Sequence, residues 1–69
     1  MEQNLAITAL IDTLSERTQN TEVRAGAASG LGYAGGQRAR EALAKVMNDR
    51  TENVNVRTAA AEALGRAIS

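Results

Sequence analysis

The sequence predicts an all-α fold of four helices in two stacked antiparallel pairs, and three observations carry that prediction. The first is a near-repeat at an offset of 33 residues: Val23-Arg24-Ala25-Gly26-Ala27-Ala28-Ser29-Gly30-Leu31-Gly32-Tyr33-Ala34 lies over Val56-Arg57-Thr58-Ala59-Ala60-Ala61-Glu62-Ala63-Leu64-Gly65-Arg66-Ala67. Upstream, Ala6, Ala9, Leu10, Arg17, Thr18 and Asn20 reappear as Ala39, Ala42, Leu43, Arg50, Thr51 and Asn53. A period of this size marks stacked helical repeats. The second observation is apolar spacing at helical period with no strand-like alternation. The third is punctuation: short polar segments and one Gly-Gly pair stand where helices must stop and restart. The chain reads as one domain over residues 1–69, with repeat one spanning about 2–35 and repeat two about 36–69.

The first helix carries Ile7, Leu10, Ile11 and Leu14 on one stripe, with Gln3, Asp12 and Glu16 off it. Arg17-Thr18-Gln19-Asn20-Thr21-Glu22 then interrupts the pattern. Its short polar side chains can accept from the unpaired N–H groups opening the next helix, with Asn20 or Thr21 as the cap. Val23, Ala27, Leu31 and Ala34 mark the second helix. It ends at Gly35-Gly36, residues free to take positive φ, and Gln37 starts the third. The third helix places Ala39, Ala42, Leu43, Val46 and Met47 at i, i+3, i+4, i+7 and i+8, leaving Arg38, Arg40, Glu41 and Lys45 elsewhere. Arg50 to Asn55 repeats the polar joint, with Asn53 or Asn55 as cap. Val56, Ala60, Leu64, Ala67 and Ile68 mark the fourth helix.

Composition limits what such a fold can be. The apolar fraction is 43%, but 14 of those residues are Ala, so helices must pack closely and each contact buries little area. A chain of 69 residues buries only about 60% of its unfolded surface, and two repeats fall short of the three or more that usually make such an array stable. Self-association or docking to a larger assembly would relieve that deficit. Eight basic and eight acidic residues cancel, which argues against a general nucleic-acid binder. Seven of the eight cations are Arg, the side chain suited to forked pairing with carboxylates. The chain contains no Cys, and no apolar run approaches a membrane span, so a cytoplasmic protein without membrane contact is expected.

The strings Val23-Arg24, Ala27-Ala28, Leu31-Gly32 and Val56-Arg57, Ala60-Ala61, Leu64-Gly65 form a V-R-x-x-A-A-x-x-L-G signature twice in phase. This signature resembles the HEAT-like repeats of phycobilisome lyases and related proteins, and the resemblance covers nearly the whole chain. It implies a short α-solenoid whose second helices line the concave side. It also implies that an acidic residue ending each first helix supports the Arg beginning the second: a structural ladder of Glu16 with Arg24 and Asp49 with Arg57. The functional alternative is an anion site formed by Arg24 and Arg57 at two helix N-termini. The tetratricopeptide and ankyrin patterns fail, because Ala28 and Ala61 stand where the first needs Trp and no Thr-Pro-Leu-His occurs.

Chemical motifs are sparse. Gly30-Leu31-Gly32-Tyr33-Ala34-Gly35 spells G-x-G-x-x-G, but it closes a helix where a dinucleotide fingerprint opens one after a strand, so its glycines are assigned to close helix contact. Without His or Cys the commonest general base, metal ligands and thiol nucleophile are lacking, and no catalytic residue, metal or cofactor is expected. Partner binding has the better case. Ala25, Ser29 and Tyr33 step by four along the second helix, and Thr58, Glu62 and Arg66 occupy the matching places one repeat on, so both rows point the same way. Ser29, Tyr33, Thr58, Glu62 and Arg66 are the candidate partner-binding residues; Tyr and Arg are favoured interface anchors. Alternatively, Tyr33 covers the Gly-rich helix end. The wide apolar face of the fourth helix, which a solvent-facing terminal helix would not show, predicts a further contact there.

The sequence therefore predicts a non-catalytic protein-interaction scaffold that self-associates or docks edge-on to a larger assembly. The alternative, resting on the resemblance, is an accessory role in attaching or detaching a bilin chromophore on phycobiliproteins. Nucleic-acid binding through Arg38, Arg40 and Lys45 ranks behind both, given the zero net charge.

Overall fold

The computed structural model describes residues 2–69. Four α-helices follow one another: α1 (Gln3–Ser15), α2 (Thr21–Ala34), α3 (Gln37–Asn48) and α4 (Val54–Ala67), with no strand among the described residues. The α1–α2 and α3–α4 pairs stack so that α2 and α4 share the most extensive contact, while α1 and α3 meet only slightly. The body measures 30 × 25 × 15 Å, and its shortest dimension is that of two helix layers.

The helix starts are set by side-chain caps. Asn20 Oδ1 accepts from Glu22 N at 2.7 Å and Val23 N at 3.3 Å, and Asn53 Oδ1 accepts from Asn55 N at 2.8 Å and Val56 N at 3.3 Å. Of the candidate caps, Asn20 and Asn53 therefore fill the role in both repeats, each satisfying two N–H groups that the helix cannot. The turn from α2 to α3 runs through Gly35 (φ 68°) and Gly36 (φ 87°), the two positive-φ residues of the described chain. Gly35, with ψ −164°, lies in a region open only to glycine.

The core is as light as the composition implies. Leu14, Leu31, Leu43 and Val56 are fully buried and supply the volume, and Ala27, Ala28, Ala39, Ala60 and Ala63 let the helices close around them. The apolar stripes of the first and third helices point inward as the spacing predicts, with Ile7 and Leu14, and Ala39, Leu43 and Val46, buried. The second and fourth helices differ from each other. Val23 is 47% exposed while Val56 is fully buried. Conversely, Ala28 and Gly32 are buried while their counterparts Ala61 and Gly65 are exposed. The reason is position in the stack: α4 covers one flank of α2, and no helix among the described residues covers the same flank of α4.

The tightest of the glycine contacts falls at Gly32. A Cβ built there would lie 2.8–2.9 Å from the O, Cα and Cβ of Ala63, so only glycine permits this spacing. At Gly65, one repeat later, a Cβ would meet nothing within 4 Å. The G-x-G-x-x-G string thus serves packing through Gly32 and the turn through Gly35.

Candidate functional site

Arg24 is the only buried charged residue among those described, at 3% exposure. A buried guanidinium is tolerated only when its N–H groups and its charge are all met. Its Nε donates to Leu14 O at 2.9 Å, tying the start of α2 to the end of α1. Nη1 and Nη2 donate to Glu52 Oε1 at 2.8 Å and Oε2 at 2.6 Å, a bidentate pair with the joint before α4. With its side chain 6% exposed, Glu52 is nearly as buried as its partner. The Arg24 hydrogen bonds hold its carboxyl below the usual range against the opposing effect of burial.

A second link runs beside it. Arg17 Nη2 donates to Asp49 Oδ2 at 2.6 Å and to Thr51 Oγ1 at 3.1 Å, Nη1 donates to Thr51 O at 3.2 Å, and Nη2 lies 3.8 Å from Glu52 Oε2. Asp49 Oδ1 accepts from Thr51 N at 2.9 Å and Thr51 Oγ1 at 2.6 Å. In repeat one, Glu16 Oε1 accepts from Thr18 N at 3.2 Å and Oγ1 at 2.8 Å. The threonine hydrogen bonds, chiefly from the hydroxyls, lower the pKa of both carboxyls.

These contacts correct the pairing expected for the ladder. Glu16 makes no ion pair with Arg24, and Asp49 pairs with Arg17, not Arg57. The ladder runs between repeats: cations of repeat one reach acids of repeat two. Within a repeat, the Arg at the head of the second helix is held by a backbone carbonyl, Leu14 O for Arg24 and Met47 O, 3.0 Å from Nε, for Arg57. Glu16 and Asp49 are instead turned into their own loops by Thr18 and Thr51. Because Glu52 occupies the Arg24 guanidinium, Arg24 is not free to bind an external anion. The sequence offers Glu52 only as one of a loop pair of carboxylates with Asp49, without a metal pattern, and gives Arg17 no site role. Arg17, Thr18 and their repeat-two copies were visible there, but Glu52 aligns with Gln19, so the repeat itself hid the acid.

The face formed by the second helices has a different character. Tyr33 is 76% exposed, and the Arg66 guanidinium sits over its ring, 4.5 Å from the centroid. The two residues of the expected patch that touch are thus one repeat apart on adjacent helices. Glu62 is exposed, Ser29 and Ala25 are half-buried, and the exposed Thr58 donates its hydroxyl to Val54 O at 2.8 Å within its own helix.

On the opposite side, α1 and α3 border an open groove of about 440 Å³. Arg38 and Lys45 line it together with Glu41, Asp49 and Glu52, so its charge is mixed. Arg38 Nη2 donates to Thr8 Oγ1 at 2.7 Å. Such a surface lacks the continuous positive field that a phosphate backbone selects. Among the described residues no His, Cys, Asp and Glu cluster could hold a metal ion, and no helix is long and apolar enough to cross a membrane.

No curated protein and no solved structure matches the sequence. The family description for HEAT repeats matches residues 7–69, almost all of both helix pairs. Repeats of this kind generally mediate protein–protein interaction and are typically non-catalytic. With its paired helices, in-phase signature and inter-repeat packing, the chain belongs to the HEAT-repeat family.

Proposed function

We propose that this protein is a non-catalytic interaction scaffold that binds a protein partner on its second-helix face, through Tyr33 and Arg66 with Ser29, Thr58 and Glu62 around them. The observation that carries the reading is the Tyr33–Arg66 stack. The ring is largely exposed, so core packing does not account for it, and the guanidinium over its face favours one orientation before any partner arrives. Ordering an aromatic anchor in advance lowers the entropic cost of binding. Arg66 and Glu62 present both signs of charge within one helical turn, suited to a partner surface of polar side chains around an apolar spot. Open edges on the helix pairs agree with a role in a homo-oligomer or a larger assembly. The lyase-accessory alternative has the resemblance to phycobilisome-lyase repeats as its whole support, whereas the exposed stack favours protein binding.

The test is the double substitution Tyr33→Ala/Arg66→Ala. Both side chains are outside the core, so helicity and melting should be retained. A partner captured by the wild-type chain should bind the double variant at least tenfold more weakly, a loss of about 1.4 kcal/mol. Undiminished capture by a folded double variant would remove this face from consideration.

A further inference from the structure

The inter-repeat contacts leave one half of each rung unused at either end, and the unused halves are complementary. At the α4 end, Arg50 is exposed and makes no side-chain hydrogen bond or ion pair among the described residues. Its counterpart Arg17 makes the Asp49 and Thr51 contacts. Arg57 uses Nε on Met47 O, but no carboxylate comes within ion-pair distance, whereas its counterpart Arg24 is closed by Glu52. Gly65 is open where Gly32 receives Ala63. Arg66 is exposed, with the Tyr33 ring against one face of its guanidinium.

The α1–α2 end holds the opposite set. Glu16, counterpart of Asp49, is fixed by Thr18 through Oε1, leaving Oε2 without a donor. Gln19, counterpart of Glu52, has Oε1 3.3 Å from Asn20 N, and Glu52 Oε1 accepts from Asn53 N at 3.0 Å in the same way. The two side chains therefore leave their joints in the same direction. Val23 is half-exposed where Val56 is fully covered, and Gly30 stands in place of Ala63.

We infer that the chain stacks head to tail with a second copy of itself, the α1–α2 end of one molecule seated on the α4 edge of the next as repeat two sits on repeat one. The step between repeats then continues between molecules. Arg50 meets Glu16 and Thr18 of the next copy, Arg57 meets Gln19, Gly65 faces Gly30, and Arg66 is held between two Tyr33 rings. Charge complementarity selects this occupant: the tail offers two free cations and the head a carboxylate and a carboxamide at the matching places. Gln19 makes the rung at Arg57 weaker than the Arg24–Glu52 rung, because a neutral acceptor replaces a charged one. The contact joins two different surfaces, so it extends into a ring or filament and does not stop at a dimer. It concerns the ends of the array and stands whether or not the second-helix face has a foreign partner.

Two substitutions block one end each without disturbing the fold or the Tyr33–Arg66 pair. Val23→Glu puts an acid into the first turn of α2, favourable for the helix in solution, but buries a charge on stacking. Gly65→Leu fills open space in the isolated molecule and collides with the neighbour in the stack. Sedimentation or light scattering should show wild-type mass rising with concentration beyond two copies. Each variant alone should stay at 7.2 kDa, and an equimolar mixture should reach twice that value and stop, since one good head and one good tail remain. Gln19→Glu should tighten wild-type association about tenfold by making the weak rung charge-assisted. Wild-type protein that is monomeric up to about 1 mM, or that stops at a dimer, would overturn the inference. So would a mixture of folded variants that never exceeds monomer mass.

Discussion

The Arg24–Glu52 pair offers the sharpest test of how the two repeats hold together. Glu52→Ala removes two hydrogen bonds, at 2.8 and 2.6 Å, and leaves the buried Arg24 side chain with only its Leu14 carbonyl contact. Breaking a buried pair by deleting one partner costs about 3–5 kcal/mol, because the remaining charge stays desolvated. The whole stability of a 69-residue chain is about 3–10 kcal/mol, so the variant should lose a large part of it. At about 4–8 °C per kcal/mol for a domain of this size, the melting temperature should fall by about 12 °C or more. Urea titration followed by helical circular dichroism measures the loss, at a concentration where the wild type is monomeric. Arg24→Met/Glu52→Met should recover most of it, since apolar replacement of both partners removes the unpaired charge. A loss below about 1 kcal/mol for Glu52→Ala would mean that water reaches Arg24 when Glu52 is gone, refuting the premise that the rung is sealed.

Two further outcomes follow from the same geometry. Gly32→Ala should destabilise by about 1–3 kcal/mol, because its methyl meets Ala63 backbone atoms that cannot rotate aside, while Gly65→Ala should stabilise by about 0.5–1 kcal/mol through helix propensity alone; paired thermal melts of the two variants check both signs. The carboxyls of Glu16, Asp49 and Glu52 are all held below their ordinary values of 4.5, 3.8 and 4.5. Each binds protons more weakly folded than unfolded, so its contribution is complete above about pH 4.5 and is lost as pH falls through the lowered folded values. Melting temperature should thus be level from about pH 7 to 5 and drop below about pH 4.5, less steeply for Glu52→Ala than for wild type.

Much of the architecture was legible because it is local. Helical spacing, the polar joints that hold the caps, the Gly35-Gly36 turn and the repeat itself depend on residues within a few positions, or on identity at a fixed offset; which side chain of each joint caps, Asn20 and Asn53, came from the structure. The HEAT signature follows from the same strings. Val23 and Ala34 mark the second helix in the sequence, yet both lie exposed in the fold, while Ala27 and Leu31 are buried. The apolar spacing is sound, but whether a stripe is covered depends on which neighbour lies beside it. For the candidate site, the outward direction of Tyr33, Glu62 and Arg66 was readable from helical phase. That Arg66 lies over the Tyr33 ring was not, since the contact is set by the distance between α2 and α4.

The sequence by itself determined the number of helices, their pairing and the thinness of the core, because each follows from backbone propensity and side-chain size. Only the tertiary structure decided which charges meet. Arg24 and Arg57 sit in nearly identical local sequence, yet one is buried against Glu52 and the other meets no carboxylate among the described residues. Arg17 reaches Asp49 across 32 positions, and Arg24 reaches Glu52 across 28. Those pairings depend on how far one repeat is displaced and rotated relative to the last. That step is fixed by the close contact of Gly32 with Ala63, where the absence of a single Cβ sets the distance between two helices.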